Sequence, residues 1–277
     1  MKRSKATHED FVLEYVDKRG LGLEIGPSHD PIAPKREGYR VHILDHLNRN
    51  ELIEKYRPHP VDVGRIEEVD FVWDGRPYPE LIGKTKIYDW IIASHVIEHT
   101  TDLIGFVNDC DALLKDRGVL SLVVPDVRKC FDHFRPISAL GRVIDAAENP
   151  ARIHSAGTAA EYFLNVVRKG GEIAWNDKQR GKYAFVHSLE EAQQAMTDVR
   201  ERKKYLDVHE WCFTPTSFRL LMRDLFELGF VKLKELSFHP SRRYEFYVTL
   251  SRRGELPKES RLELLQRIHR EQASGCN

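Results

Sequence analysis

At 277 residues, 41% hydrophobic and 31% charged, the chain has the composition of a soluble globular protein, with room for one large domain carrying an insertion. Its 43 basic and 43 acidic residues cancel, so it lacks the basic surplus that non-specific nucleic-acid binding uses, and no nucleic-acid partner is expected. No apolar run approaches the roughly 18 residues of a membrane-spanning helix, the opening Met1-Lys2-Arg3-Ser4-Lys5 has no signal-peptide character, and Cys110, Cys130, Cys212 and Cys276 form no C-x-x-C pair; a cytoplasmic protein without structural zinc is expected.

Residues 8–19 carry Phe11, Val12, Tyr15 and Val16 at helical spacing and run to Gly20, which predicts an N-terminal helix. Strands are predicted at 21–25, 41–44 and 69–72, and two continuous apolar runs, 88–93 and 119–124, read as central strands buried on both faces. Between these two, 102–115 reads as a helix with Leu103, Phe106, Val107, Cys110, Leu113 and Leu114 inward. Strand and helix in alternation argue for a parallel sheet.

From 136 to 208 no segment reads as a strand, and helical stretches near 138–148, 158–168 and 188–204 alternate with glycine turns. Thr214-Pro215-Thr216-Ser217 is a helix start, Phe218, Leu221, Leu225 and Leu228 form its apolar stripe, and Gly229 ends it. Two strands follow, at 230–237 and 244–250. The expected fold is therefore α/β: a Rossmann-like, seven-stranded, mostly parallel sheet built from 1–135 and 209–252. A helical insertion, 136–208, would cover the site, and 253–277 would form a C-terminal surface helix and tail.

The most informative stretch is Leu23-Glu24-Ile25-Gly26-Pro27-Ser28, an apolar run ending in a glycine turn. A second run, Val41–Leu44, ends in Asp45 about twenty residues later, the spacing by which a doubly wound sheet grips a nucleoside through its ribose hydroxyls. A dinucleotide turn needs closely spaced glycines to receive a pyrophosphate. Here Pro27, Ser28, His29 and Asp30 follow Gly26; Pro27 has no N–H, and Asp30 would repel phosphate. A phosphate-free nucleoside such as S-adenosylmethionine (SAM) suits this turn better than NAD.

In combination these motifs resemble the class I SAM-dependent methyltransferases. Glu24-Ile25-Gly26-Pro27-Ser28 matches part of the acid-x-Gly-x-Gly loop of that family, Asp45 its ribose-binding acid, and Asp74 in Phe71-Val72-Trp73-Asp74-Gly75 its adenine-binding acid. Ala93-Ser94-His95-Val96-Ile97-Glu98-His99 is similar to the hydrophobic-x-Glu-His segment after the fourth strand of the family. Ser28 stands where the second glycine would be, and the short connection to the second strand puts the usual first crossover helix in doubt. The resemblance implies SAM as cofactor, with Glu24, Gly26, Pro27 and Ser28 bordering methionine, Asp45 the ribose, Asp74 the adenine, and Ser94 and His95 the pocket below the sulfonium.

Within the family, Asp126, the run Phe131-Asp132-His133-Phe134-Arg135-Pro136, and His209 ahead of Phe213-Thr214-Pro215 resemble bacterial methyltransferases associated with surface-polysaccharide and glycosyltransferase systems. That likeness implies a sugar-hydroxyl acceptor, polysaccharide biosynthesis and association with glycosyltransferase machinery. A hydroxyl acceptor benefits from a general base; His209 is the first choice, with His133 and Asp126 as the others. His95-Val96-Ile97-Glu98-His99 also reads H-x-x-E-H, the inverted zinc-protease motif, but it follows a buried strand and Thr100-Thr101-Asp102 breaks any long helix. Residues at this place hold a divalent ion in a subset of the family. His95, Glu98 and His99 could do so, yet a neutral histidine packed beneath the cofactor is preferred, and no metal is expected. The competing readings are a catalytically silent SAM-binding module that partners a glycosyltransferase, a methyltransferase of small metabolites, and an NAD-dependent oxidoreductase.

Overall fold

The computed structural model describes residues 7–274. A short helix, α1 (His8–Val12), is closed by a capping box at Thr7 and stops well before residue 19. The Asp17 carboxylate accepts from the Arg19 backbone N–H, and the Asp17 carbonyl accepts from Trp90 Nε1 at 3.0 Å. Side-chain competition for backbone groups of this kind turns the chain toward the sheet instead of extending the helix.

The strands β1 (Leu21–Ile25) and β2 (Arg40–Asp45) are joined by a loop whose only helical element is a 3₁₀ turn at Lys35–Glu37. Then come α2 (Arg49–Tyr56), a two-residue β3 (Phe71–Val72), α3 (Tyr78–Ile82), β4 (Tyr88–Ser94), α4 (Leu103–Leu113) and β5 (Leu114–Pro125). The insertion contains α5 (Leu140–Glu148), α6 (Ala156–Asn165), β6 (Val167–Lys169), β7 (Tyr183–Phe185) and α7 (Leu189–Arg202). The chain returns through α8 (Pro215–Glu227), β8 (Lys234–Arg242) and β9 (Glu245–Ser251), and α9 (Arg261–Ser274) closes it. No described helix is long and apolar enough to cross a membrane.

Seven strands form one sheet in the order β3-β2-β1-β4-β5-β9-β8. The first five are parallel, and β9 and β8 run antiparallel to their neighbours. The order departs from the 3-2-1-4-5-6 of dinucleotide-binding sheets through that reversed final pair. The inner strands are apolar on both faces because helices cover both: Ile91, Ala93, Leu120 and Leu122 join one core with α4 and α8, and Trp90, Ile92, Val119 and Val123 join a second with α1. Gly22 of β1 lies directly over the Trp90 ring; a Cβ there would stand 2.2 Å from it.

The insertion corrects one expectation. It is not wholly helical: β6 and β7 pair as an antiparallel hairpin. Three residues per strand are too few to show a period of two. The hairpin is instead held from outside, by Val167 N–H donating to the Phe131 carbonyl (2.9 Å) and Trp175 N–H to the Lys129 carbonyl (2.8 Å). Those contacts fasten the insertion to the segment that leaves β5.

Candidate functional site

The candidate residues gather at the carboxyl ends of β1, β2, β4 and β5, where ligands of open α/β sheets bind. Gly26 turns the chain out of β1 at φ +63°, and its N–H still donates to the Leu44 carbonyl at 2.8 Å, so the turn stays attached to β2. Pro27 accepts from the Asp30 N–H and tightens the same turn. Ser28, where a second glycine would be easiest, sits at φ +50°, a conformation that costs a non-glycine residue energy. It is held by its N–H donating to Asp45 Oδ2 at 3.0 Å and by the Tyr56 hydroxyl donating to its Oγ at 3.2 Å. Asp45 is 1% exposed; its other oxygen accepts from the His46 N–H and pairs with His46 Nδ1 at 2.6 Å. The carboxylate at the end of β2 and the glycine turn after β1 therefore meet directly.

Glu24 faces the other way. Its carboxylate accepts from Ile32 N–H (2.6 Å) and Ala33 N–H (3.1 Å), so it fastens the loop that follows the turn. Burial pushes its pKa up to about 7, against the two N–H bonds, which favour the anion. Asp74 lies on an exposed turn in a close ion pair with Arg76 (2.7 Å), beside Trp73, the tryptophan that reaches solvent at 38% exposure. Arg76 holds the Asp74 carboxyl below its usual range.

Ser94 ends β4, and His95 follows at φ +53°. His95 is not the neutral packed histidine anticipated from the sequence. Burial disfavours its charge, but Glu245 (Oε2 to Nε2, 2.8 Å) and Glu98 (Oε1 to Nδ1, 3.3 Å) outweigh burial and raise its pKa to about 10. Glu245 was not anticipated. It arrives from β9, paired beside Pro125 of β5, and only the antiparallel end of the sheet puts it opposite β4.

A second group assembles from three distant segments. Glu98 is 0% exposed in the 3₁₀ turn Ile97–His99. Its carbonyl accepts from Glu210 N–H (2.7 Å) and Trp211 N–H (3.1 Å), and Trp211, wholly buried, donates from Nε1 to the Thr100 carbonyl. These bonds seat His209 above Glu98, with His209 Nε2 4.0 Å from Glu98 Oε1 and the His99 and His209 rings 4.6 Å apart, edge to face. Asp132, which leaves β5 on the segment after the 3₁₀ turn Val127–Lys129, pairs with His209 Nδ1 at 2.5 Å and accepts from Arg135 at 2.9 Å. Burial opposes the Asp132 charge, but His209 and Arg135 hold its carboxyl below the usual range. Asp207 stands 3.1 Å from His99 Nδ1.

The two groups share one wall. His46 Nε2 lies 3.1 Å from Lys55 Nζ, and Lys55 pairs with Asp207 at 3.5 Å, so a polar chain runs from Asp45 through His46, Lys55 and Asp207 to His99.

The other two residues expected to do chemistry lie elsewhere. Asp126 is 0% exposed, with its oxygens taken by Arg128 (2.5 and 2.8 Å) and the Ser241 hydroxyl (2.5 Å); it ties the end of β5 to the β8–β9 hairpin. His133 stacks on Tyr183 of the insertion hairpin, its Nδ1 against the Arg128 carbonyl (2.9 Å) and its Nε2 against the Tyr183 hydroxyl (3.2 Å). The motif residue that reaches His209 is Asp132, one position before His133. Its aromatic neighbour Phe131 packs against the His209 ring at 4.8 Å with the planes tilted by 42°, and Tyr162 of α6 lies at 6.4 Å.

No family model matches the chain, and no curated protein matches it. Solved structures do resemble it. One is the CcbJ methyltransferase from Streptomyces caelestis, 11% identical, with 89% of this chain and 96% of that one covered and a TM-score of 0.45. A SAM-dependent methyltransferase from Aquifex aeolicus is 12% identical, with 88% of each chain covered and a TM-score of 0.41. A Rhodobacter sphaeroides protein carrying a Zn-dependent alcohol dehydrogenase designation is 16% identical, with 88% of each covered and a TM-score of 0.45. At such distances the functional reading rests on the strand order and the residues of this chain.

Proposed function

We propose that the chain is a SAM-dependent methyltransferase acting on an oxygen nucleophile, and that this oxygen belongs to a saccharide. The observation that carries the reading is the contact between Asp45 and the Ser28 N–H. A buried acid on β2 and a glycine turn after β1, joined at 3.0 Å, are the two halves of a nucleoside grip. The ribose hydroxyls would take over bonds that Asp45 now makes to Ser28 and His46, and Trp73 and Asp74 would border the adenine. The reversed β9–β8 pair and the lack of a second or third glycine in the turn that begins at Gly26 favour SAM over a dinucleotide.

Methyl transfer is a direct displacement. The acceptor oxygen forms a bond to the methyl carbon as the C–S bond of the sulfonium breaks, the acceptor loses its O–H proton, and S-adenosylhomocysteine leaves. The protein therefore supplies alignment and help with the proton. His209 is the group placed to help: Asp132 fixes its ring through Nδ1, and Nε2 points to the Glu98 side of the cleft. Phe131 and Tyr162 beside it offer flat faces for the C–H face of a sugar ring.

Equilibrium dialysis of the pure chain against SAM, S-adenosylhomocysteine and NAD tests the cofactor: retention of the first two is expected, and retention of NAD alone would overturn the reading. Labelled SAM with a panel of nucleotide sugars and glycans tests the acceptor. His209→Ala is expected to keep SAM affinity and lower turnover by about 10²–10⁴-fold. Turnover within twofold of the parent would remove His209 from the chemistry, and binding without turnover on any acceptor would favour a silent module that positions a glycosyltransferase.

A further inference from the structure

Glu98 is the anomaly of this site. Its side chain is 0% exposed, and neither carboxylate oxygen receives a hydrogen bond among the described residues; the nearest basic nitrogen is His95 Nδ1, 3.3 Å from Oε1. A buried carboxylate with empty lone pairs is costly unless something cationic completes it. A buried acid that only balanced imidazolium charge would be expected to accept their N–H groups.

The surroundings say what completes it. Glu98, His99 and His209 each present one donor atom, and all three atoms lie within 4.8 Å of one another. The 4.0 Å from Glu98 Oε1 to His209 Nε2 is a little wider than the roughly 3.4 Å between tetrahedral ligand atoms, so binding an ion would draw the two side chains together by about half an ångström. His209 gives its other nitrogen, Nδ1, to buried Asp132, and Asp207 stands by His99. The Asp132 carboxylate behind His209 fixes that ring's tautomer and raises its basicity, the usual outer shell of a metal-binding histidine, and Asp207 lies close enough to His99 to take the same place. The 27%-exposed side chain of His99 marks a way in from solvent.

We infer that Glu98, His99 and His209 hold a divalent first-row transition-metal ion, with Asp132 and Asp207 as its outer shell. Two imidazoles and one carboxylate suit zinc, cobalt, iron or manganese; magnesium and calcium prefer all-oxygen ligand sets. The ligands come from the turn after β4 and from the segment that returns out of the insertion, so the ion joins insertion to sheet. The site stands on these residues whether or not the chain transfers methyl groups. If it does, three protein donors would leave coordination positions for an acceptor oxygen, which the ion would acidify; His209 Nε2 would then act as a ligand and not as the proton acceptor.

The test uses the full chain, stripped with a chelator and dialysed against zinc, cobalt, manganese or magnesium in turn, with retained metal measured by mass spectrometry and cobalt by its visible absorption. One equivalent of zinc or cobalt per chain is expected, with magnesium not retained. Glu98→Gln and His209→Ala should each weaken retention by more than about 100-fold, Asp132→Asn by about 10–100-fold, and His59→Ala, at an exposed histidine off the site, should change nothing. Asp132→Asn keeps both shape and ligands, so it reports even if a ligand variant fails to fold. No retention of any transition metal at micromolar concentration, or retention indifferent to Glu98→Gln and Asp132→Asn, would overturn the inference. SAM binding to the stripped chain is measured separately, so failure of the ion site and failure of the methyltransferase reading give different results.

Discussion

Glu24 makes folding stability depend on pH in a direction opposite to that of most carboxylates. Its carboxyl goes from an ordinary 4.5 to about 7 on folding, because burial disfavours the anion more than the Ile32 and Ala33 N–H bonds favour it. The folded chain thus keeps a proton that the unfolded chain has already lost between these values. Stability falls as pH rises through that window, by about 1.4 kcal/mol per unit at its steepest, and then levels off. Linkage over pH 5 to 8 gives a loss of about 2.5 kcal/mol from this one group.

Other buried acids pull the opposite way. Burial opposes the charges of Glu98, Asp132 and Glu245, but their histidine and arginine partners win, and the stability they contribute is lost as pH falls. The Glu24 contribution is therefore read as a difference. Glu24→Gln cannot ionise, so its urea-unfolding free energy, subtracted from that of the parent at each pH, isolates the group. The variant should be the less stable at pH 5, since an amide offers one oxygen to two N–H donors, and should recover by about 2.5 kcal/mol relative to the parent by pH 8. A difference constant within about 0.5 kcal/mol across the range would mean that Glu24 ionises inside the protein as readily as outside, with the loop bonds dominating.

Asp45→Ala should weaken SAM binding by about 1.5–3 kcal/mol, roughly 10- to 150-fold in Kd by calorimetry, since hydrogen bonds to a charged acceptor are lost; an unchanged Kd in a folded variant would remove the ribose assignment. Gly22→Ala puts a methyl group 2.2 Å from the Trp90 ring in a fully buried layer and should cost about 1–3 kcal/mol of unfolding free energy in urea, while a neutral effect would mean that the ring moves freely there. Trp90 and Trp211 are 0% exposed and Trp175 is 5%, so a change in tryptophan fluorescence on SAM addition should come from Trp73 and disappear in Trp73→Phe; a signal that persists would place adenine elsewhere.

What could be read along the chain was what local chemistry decides. Continuous apolar runs at Tyr88–Ala93 and Val119–Val124 mark strands covered on both faces whatever the fold, and Thr214-Pro215 with Ser217 caps a helix in any context. The meeting of Asp45 with the turn after β1 was also legible, because adjacent parallel strands put their ends together. Long-range juxtaposition left no such trace. Glu24 looks like a ligand-binding acid by position, but which way its carboxylate turns is decided by the Ile32 and Ala33 N–H groups, which no pattern in the sequence marks as unsatisfied. His133 drew attention as a histidine in an aromatic motif; the stacking of Tyr183, brought in by a hairpin too short to recognise, directs that ring away, while Asp132 turns inward to His209. Glu98 and His209 are separated by more than a hundred residues, and the 3.1 Å and 2.7 Å bonds from Trp211 and Glu210 to the Glu98 carbonyl, with the Trp211 Nε1 bond to Thr100, bring them together. The insertion is tied to the same segment. Glu210 binds Arg142 of α5, His154 and Thr158 of α6, so the same short segment that carries His209 is locked to the insertion on one side and to the sheet on the other. Asp132 adds a third tie at His209 Nδ1, so the segment is held at once by the turn after β4, by the insertion and by the stretch that leaves β5.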